Sequence, residues 1–244
     1  MGPPDDGAVD TLEVVYFPIR ARAEPIKLAL EIAGLPWRET RVPFADWPAL
    51  KASQPFGSLP VLRTARGVLP QSVAILRYVG RLGGLYPEDL FEAAYCDALV
   101  DACEDAGKMY GPSVHEKDAA KKAAMRKELA EAKLPPYFAK LDAAVGEGAY
   151  CVGGKLSIAD LAVSQLVAFM KSGIMDGIPS TITDPVSTCG RGAGGRRADP
   201  TTVRQPHPDP WCGRDAAAGG GVEGAGEGGG GRGRRVAVPK GFFC

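Results

Sequence analysis

No run in this 244-residue chain approaches the roughly 18 consecutive apolar residues that a membrane-spanning helix needs. An excess of one charge is also missing. The 29 Lys+Arg balance 29 Asp+Glu, so the overall field favours neither nucleic acid nor an anionic membrane as partner. The six cysteines, Cys96, Cys103, Cys151, Cys189, Cys212 and Cys244, show neither a CxxC pair nor zinc-ligand spacing. No metal site is expected, and the thiols read as the reduced cysteines of a cytoplasmic protein. The opening MGPPDDGAVD is acidic and has no apolar core, so no secretory leader is expected. Asp6 stands where N-myristoylation requires Ser or Thr, and Cys244 is last rather than fourth from the end, which argues against prenylation.

Those balanced totals conceal a division. Residues 1–184 hold 20 Lys+Arg and 24 Asp+Glu, whereas residues 185–244 hold 9 and 5, with 16 of the 32 glycines. Residues 185–244 show no helical or strand period and too few apolar groups to offset the entropy of ordering. This tail is expected to be disordered. Its Arg-Gly tracts lack the interleaved aromatics of an RNA-binding segment, so nucleic acid is not an expected partner.

In order, Thr11–Phe17 reads as an apolar strand. Residues 22–33 read as a helix with Pro25 in its first turn, where the missing N–H costs little, and with Gly34 at its stop. Residues 36–43 alternate like a second strand, and residues 47–51 make a helical turn. The stretch 54–78 reads as loop, strand, tight turn, strand and helix. Ala65-Arg66-Gly67 supplies the hairpin turn. Pro60 heads a strand, where a cis Leu59–Pro60 bond would leave backbone groups free to pair with a peptide-like ligand. Ser72 opens the following helix, so it either caps the end or stands where an anion is held. The order βαβ-α-ββα predicts a thioredoxin-like sheet over 11–83. Strand signals cease after the Gly83–Pro87 linker. Residues 89–110 and 118–145 read as helices, the second bent at Pro135-Pro136. Ser157 to Asp160 is a capping box that opens a helix apolar nearly all round. Residues 88–184 are therefore expected to form an all-α second domain.

Several stretches share a pattern with a known family: YFPIRARAE (16–24), DWPALK (46–51), PFGSLP (55–60), QSVAILRYVGR (71–81) and GGKLSIADLAV (153–163). Together and in order, they resemble the cytosolic glutathione transferases over about residues 11–184. The likeness is strongest to the sigma class, which includes the haematopoietic prostaglandin D synthases. The resemblance implies a catalytic Tyr16, whose phenol would favour the thiolate of glutathione over the thiol, with Arg22 adding positive potential. It places Phe17, Leu59, Pro60, Gln71 and Ser72 along the tripeptide, and Trp47 and Lys51 at its glycyl carboxylate. Asp105 would reach the ligand across a homodimer interface; read alone, Asp97, Asp101 and Asp105 are equally a solvated stripe. Gly107 and Tyr110 would line the pocket of a small hydrophobic electrophile. Glutathione is a co-substrate, and no cofactor is implied.

Departures matter as well. Ala21 stands for a frequent Gly and Ser58 for a frequent Lys or Gln. Gly107 and Pro112 replace larger groups, which weighs against prostaglandin isomerisation. No Cys precedes residue 96, which disfavours the thioltransferase-like branches. The family continues past residue 184 with one or two helices, whereas here Val186-Ser187 is what a common intron start, GTGAGT, would encode. Residues 186–244 are accordingly expected to be translated intron or a shifted frame. The expected activity is glutathione conjugation. The alternatives are a glutathione-dependent isomerase, or a non-catalytic binding product that lacks those helices.

Overall fold

Leu12–Tyr16 is buried along its whole length, and this strand, β1, is the spine of the first half of the molecule. The structure, a computed structural model, describes residues 11–184 and residue 186; the expectations for the tail lie outside the described residues. Strand β2 (Trp37–Arg41) pairs with β1 in parallel, and β3 (Val61–Thr64) pairs with its other edge antiparallel. Strand β4 (Gly67–Pro70) closes the hairpin, so the sheet runs β2-β1-β3-β4. Gly67 at the turn has φ 130°, a conformation that an L side chain resists. Helices α1 (Glu24–Ile32), α2 (Trp47–Leu50) and α3 (Ser72–Leu82) complete this half.

Successive strand side chains point to opposite faces, and β1 obeys that rule. Leu12, Val14 and Tyr16 join Ile26, Leu30, Ile75, Leu76 and Val79 of α1 and α3 in the main core. Val15 faces the other way, to Val42, Val61, Trp47 and Leu59. Glu13 shares that second face. It accepts a hydrogen bond from Thr40 Oγ1 at 2.6 Å and from Arg38 Nη2 at 3.0 Å, and these partners hold its carboxyl below the usual carboxylate range.

Every later element is helical among the described residues, apart from a Val152–Lys155 bridge. Helix α4 (Leu90–His115) opens on Asp89, whose Oδ1 accepts from the N–H groups of Phe91 and Glu92. The sequence predicts an end at Tyr110, but the helix runs on through Pro112. That proline forfeits one backbone bond, and the turn beyond it is tied back by Ser113 Oγ, which donates to the Tyr110 carbonyl at 2.7 Å. Helix α5 (Ala119–Glu128) is followed by a wide π turn, Leu129–Lys133, and then by α6 (Leu134–Val145). The bend expected at Pro135-Pro136 is this turn: two consecutive residues without N–H interrupt the helical ladder.

Helix α7 (Ile158–Lys171) buries Ile158, Ala159, Leu161, Ala162, Val163, Leu166 and Met170, and packs against α1, α3 and α4. Gly80 of α3 lies so close that a Cβ there would sit 2.5 Å from Ile158 Cγ2. The entry to α7 is held by one buried carboxylate. Asp160 accepts from Ser157 N–H, Ser157 Oγ and Cys151 N–H, each at 2.8 Å. Replacing Asp160 with Ala strands three buried donors and is expected to cost about 3 kcal/mol or more, read by urea denaturation. A loss below about 1 kcal/mol, typical of an exposed cap, would show that the box is not the anchor of α7.

Candidate active site

Where β1 ends, Tyr16 reaches a cleft of about 660 Å³ between the sheet half and the long helices. Phe17, Ile19, Arg22, Leu59 and Ser72 line one side; Glu104, Gly107, Tyr110, Leu166, Phe169 and Ile174 line the other. Tyr16 is only 4% exposed, and burial raises the pKa of its phenol. A hydrogen bond from the Arg22 backbone and the positive charge of its guanidinium oppose that rise, while the Glu104 carboxylate adds to it. The net direction is upward, so at neutral pH Tyr16 is a protonated donor. Arg22 Nη1 meets Glu104 Oε2 at 2.9 Å across the cleft. Tyr110, stacked on Phe169 with ring centroids 5.1 Å apart, is pushed up to about 12, chiefly by burial.

The fold brings Tyr16, Phe17, Arg22, Leu59, Ser72, Gly107 and Tyr110 of the expected residues to this one cleft. Trp47 lies behind it, edge-on to Phe17 at 5.3 Å. Lys51 borders a shallower neighbouring groove with Pro48, Gln54 and Gly57. Pro60 is buried, and the Leu59–Pro60 bond is cis. Gln71 is exposed and holds a φ of 72°, rare for a residue other than glycine and a local strain beside the cleft. The capping alternative for Ser72 does not hold: Gln71 is the N-cap, Ser72 is the first helical residue, and no side chain caps the end. That leaves the first N–H groups of α3 without a side-chain acceptor.

Asp105 does not line the cleft of its own chain; it pairs with Lys108 at 2.7 Å. Asp97 and Asp101 both hold Arg77, so the acidic stripe is in part an ion-pair network. Glu104 escaped the sequence reading although the signal was present. Counting back from Tyr110 in steps of three and four gives Gly107, Glu104, Cys103 and Val100, the face that lines the cleft. Phe44, Phe169 and Ile174 carried no such signal, since they come from separate loops and from a different helix.

Two family models match the chain: the glutathione S-transferase N-terminal domain over residues 12–81 and the C-terminal domain over 104–185. Glutathione S-transferase 1 of Ascaris suum is 34% identical over 170 residues, covering 67% of this chain and 82% of that protein.

The chain belongs to the glutathione S-transferase family.

Among solved structures, the prostaglandin synthase D of Nilaparvata lugens is similar at 29% identity and a TM-score of 0.64, covering 72% of this chain and 92% of that one. A monomeric glutathione S-transferase of Necator americanus has 28% identity and a TM-score of 0.57, covering 73% and 92%. The thioredoxin-like sheet and the all-α half are those of a glutathione transferase, an enzyme class that takes glutathione as co-substrate. Among the described residues, no helix is long and apolar enough to cross a membrane.

Glu104 opposes Arg22 in setting the Tyr16 phenol of this transferase. Glu104→Gln is expected to lower the pKa of Tyr16, read as tyrosinate absorbance against pH with a Tyr16→Phe control subtracted. An unmoved or raised value would mean that the carboxylate does not act on the phenol.

Proposed function

We propose that the chain conjugates glutathione to small hydrophobic electrophiles in this cleft, with residues 11–83 holding the tripeptide and residues 88–184 the electrophile. The observation that carries the reading is a buried Tyr16 phenol at the cleft, with Arg22 lining the same cleft. A thiol becomes a nucleophile by losing its proton, which passes to solvent. The phenol O–H then donates to the sulfur anion, and the guanidinium favours the same charge. The thiolate attacks carbon, the C–S bond forms, and the leaving group departs with its electron pair.

The uncapped start of α3 at Ser72 suits the γ-glutamyl carboxylate, because the helix dipole and free N–H groups both favour an anion there. Gln71, Leu59, Pro60 and Phe17 would flank the tripeptide, with Trp47 and Lys51 at its far carboxylate. Gly107 and Tyr110 would face the electrophile. Glutathione-dependent isomerisation is the second reading, favoured by the likeness to the Nilaparvata lugens prostaglandin synthase D. A substrate panel with product analysis separates the two.

Tyr16→Phe removes the donor while keeping the ring. The expected result is a fall of about 10²-fold in kcat with glutathione affinity retained. Unchanged turnover would remove Tyr16 from the mechanism.

A cytoplasmic homodimer is part of the same proposal. Phe56 is 80% exposed with φ 55°, and Leu90 and Phe91 are 87% and 77% exposed, apolar area that a second copy would cover. Light scattering is expected to give twice the chain mass, and Phe56→Ser to shift the protein toward monomer. A wild-type monomer at micromolar concentration would end that part.

A further inference from the structure

The helical half contains a buried guanidinium that the chemistry described so far does not use. Arg126 of α5 is 3% exposed. Its Nε donates to Ser113 Oγ at 2.7 Å, and its Nη1 donates to the Asp176 carbonyl at 3.0 Å and to Asp176 Oδ1 at 3.1 Å. Ser113 passes the connection on, donating to the Tyr110 carbonyl at 2.7 Å. Asp176 lies in the segment after α7, two residues beyond Ile174, which lines the cleft. Met175 and Ile178 of that segment are buried, and Gly177 lies against Arg126, a Cβ there falling 3.6 Å from Arg126 Cβ.

The contacts close a ring. From Tyr110 the stack onto Phe169 leads to α7, then through the following segment to Asp176, Arg126, Ser113 and back to the Tyr110 carbonyl. Tyr110, Phe169 and Ile174 are all cleft residues, so the ring frames the wall opposite Tyr16. A guanidinium is well suited to the joint, because its planar fork serves two acceptors on different elements at once. Burying it carries a desolvation cost, and the Asp176 carboxylate that answers it is 75% exposed. An apolar side chain would fill the same volume without that penalty. Volume alone therefore does not account for the residue, whereas cross-linking two walls does.

We infer that Arg126 is a positioning residue for the electrophile: through Ser113 and Asp176 it fixes Tyr110 and Ile174, and so sets the fit of the hydrophobic substrate but not of glutathione. The inference rests on the glutathione transferase reading of the cleft.

The test is calorimetric binding of glutathione and of S-hexylglutathione, an unreactive probe with an alkyl chain on the sulfur, to wild type, Arg126→Met and Asp176→Asn. Met keeps length and apolar packing without the buried charge, and Asp176→Asn alters only an exposed carboxylate and keeps the carbonyl acceptor. The advantage of S-hexylglutathione over glutathione is expected to shrink about five- to tenfold in Arg126→Met and less in Asp176→Asn, with glutathione affinity within about twofold of wild type. Ile174→Ala should reduce the advantage in wild type and add little in Arg126→Met, because both act on one wall. A merely structural role would weaken both ligands together. An unchanged ratio in folded variants, or a parallel loss of both ligands, overturns the inference while leaving the transferase reading intact. A wild type that binds neither compound overturns that reading and the inference with it.

Discussion

A carboxylate without water must be met by donors, and that demand at Asp160 organises the molecule. Its three hydrogen bonds draw the 151 turn and the start of α7 onto one point. Once the start is fixed, the apolar circumference of α7 has to be covered. The sheet half covers it from one side through α1 and α3, with Gly80 admitting Ile158 and the Leu85 carbonyl accepting from Ile158 N–H at 2.9 Å. Further cover comes from residues 180–183 and from α4, whose outer stretch then faces the end of β1. The cleft is thus where two halves packed on one helix fail to meet.

Within that cleft the same low dielectric acts on two phenols with different consequences. Both Tyr16 and Tyr110 are pushed toward the protonated form by burial. Arg22 and Glu104 act on both with opposite signs, and Tyr16 differs in also taking a hydrogen bond from the Arg22 backbone. The ion pair is too exposed to matter greatly for stability, with Arg22 at 55%. Its interest is positional: one charge favours an anion near Tyr16 and the other disfavours it.

Local pattern reached far into this fold. The strands, the hairpin turn at Gly67 and the box at Asp160 follow from residues close in sequence, where capping and turn chemistry operate. What local pattern handled poorly was continuity. Gly111-Pro112 reads as a stop, yet α4 continues, because the bond from Arg126 to Ser113 that supports the next turn comes from another helix. Likewise Ser72 reads as a cap, but the chain turns into α3 at Gln71 with a positive φ that no local rule would choose. The site divides in the same way. Tyr16 and Ser72 are singled out by the resemblance of the stretches that hold them, and the fold brings both to the cleft. Ile174 was not, since nothing near it says that the segment after α7 folds back to the cleft. Asp105 comes from the resemblance, as a residue reaching across a dimer interface, whereas the 3.6-residue turn puts Glu104 on the face that lines this chain's own cleft.

This division bears on how such an enzyme can change. The wall that carries Tyr16 and Leu59 rests on a strand buried on both faces, and altering it means altering the core of the sheet. The opposite wall is built otherwise. Gly107 and Gly111 of α4 leave open space on the cleft side: a Cβ at Gly107 meets only Tyr110, and one at Gly111 meets nothing within 4 Å. Glycine inside a helix costs about 0.5–1 kcal/mol relative to alanine, and neither position has a positive φ that would require it. Substitutions there are compatible with the backbone and fill only the cleft. On the proposed function, the chemistry at sulfur is thereby bound to the core, whereas the fit of the electrophile depends on positions that the fold leaves open to substitution.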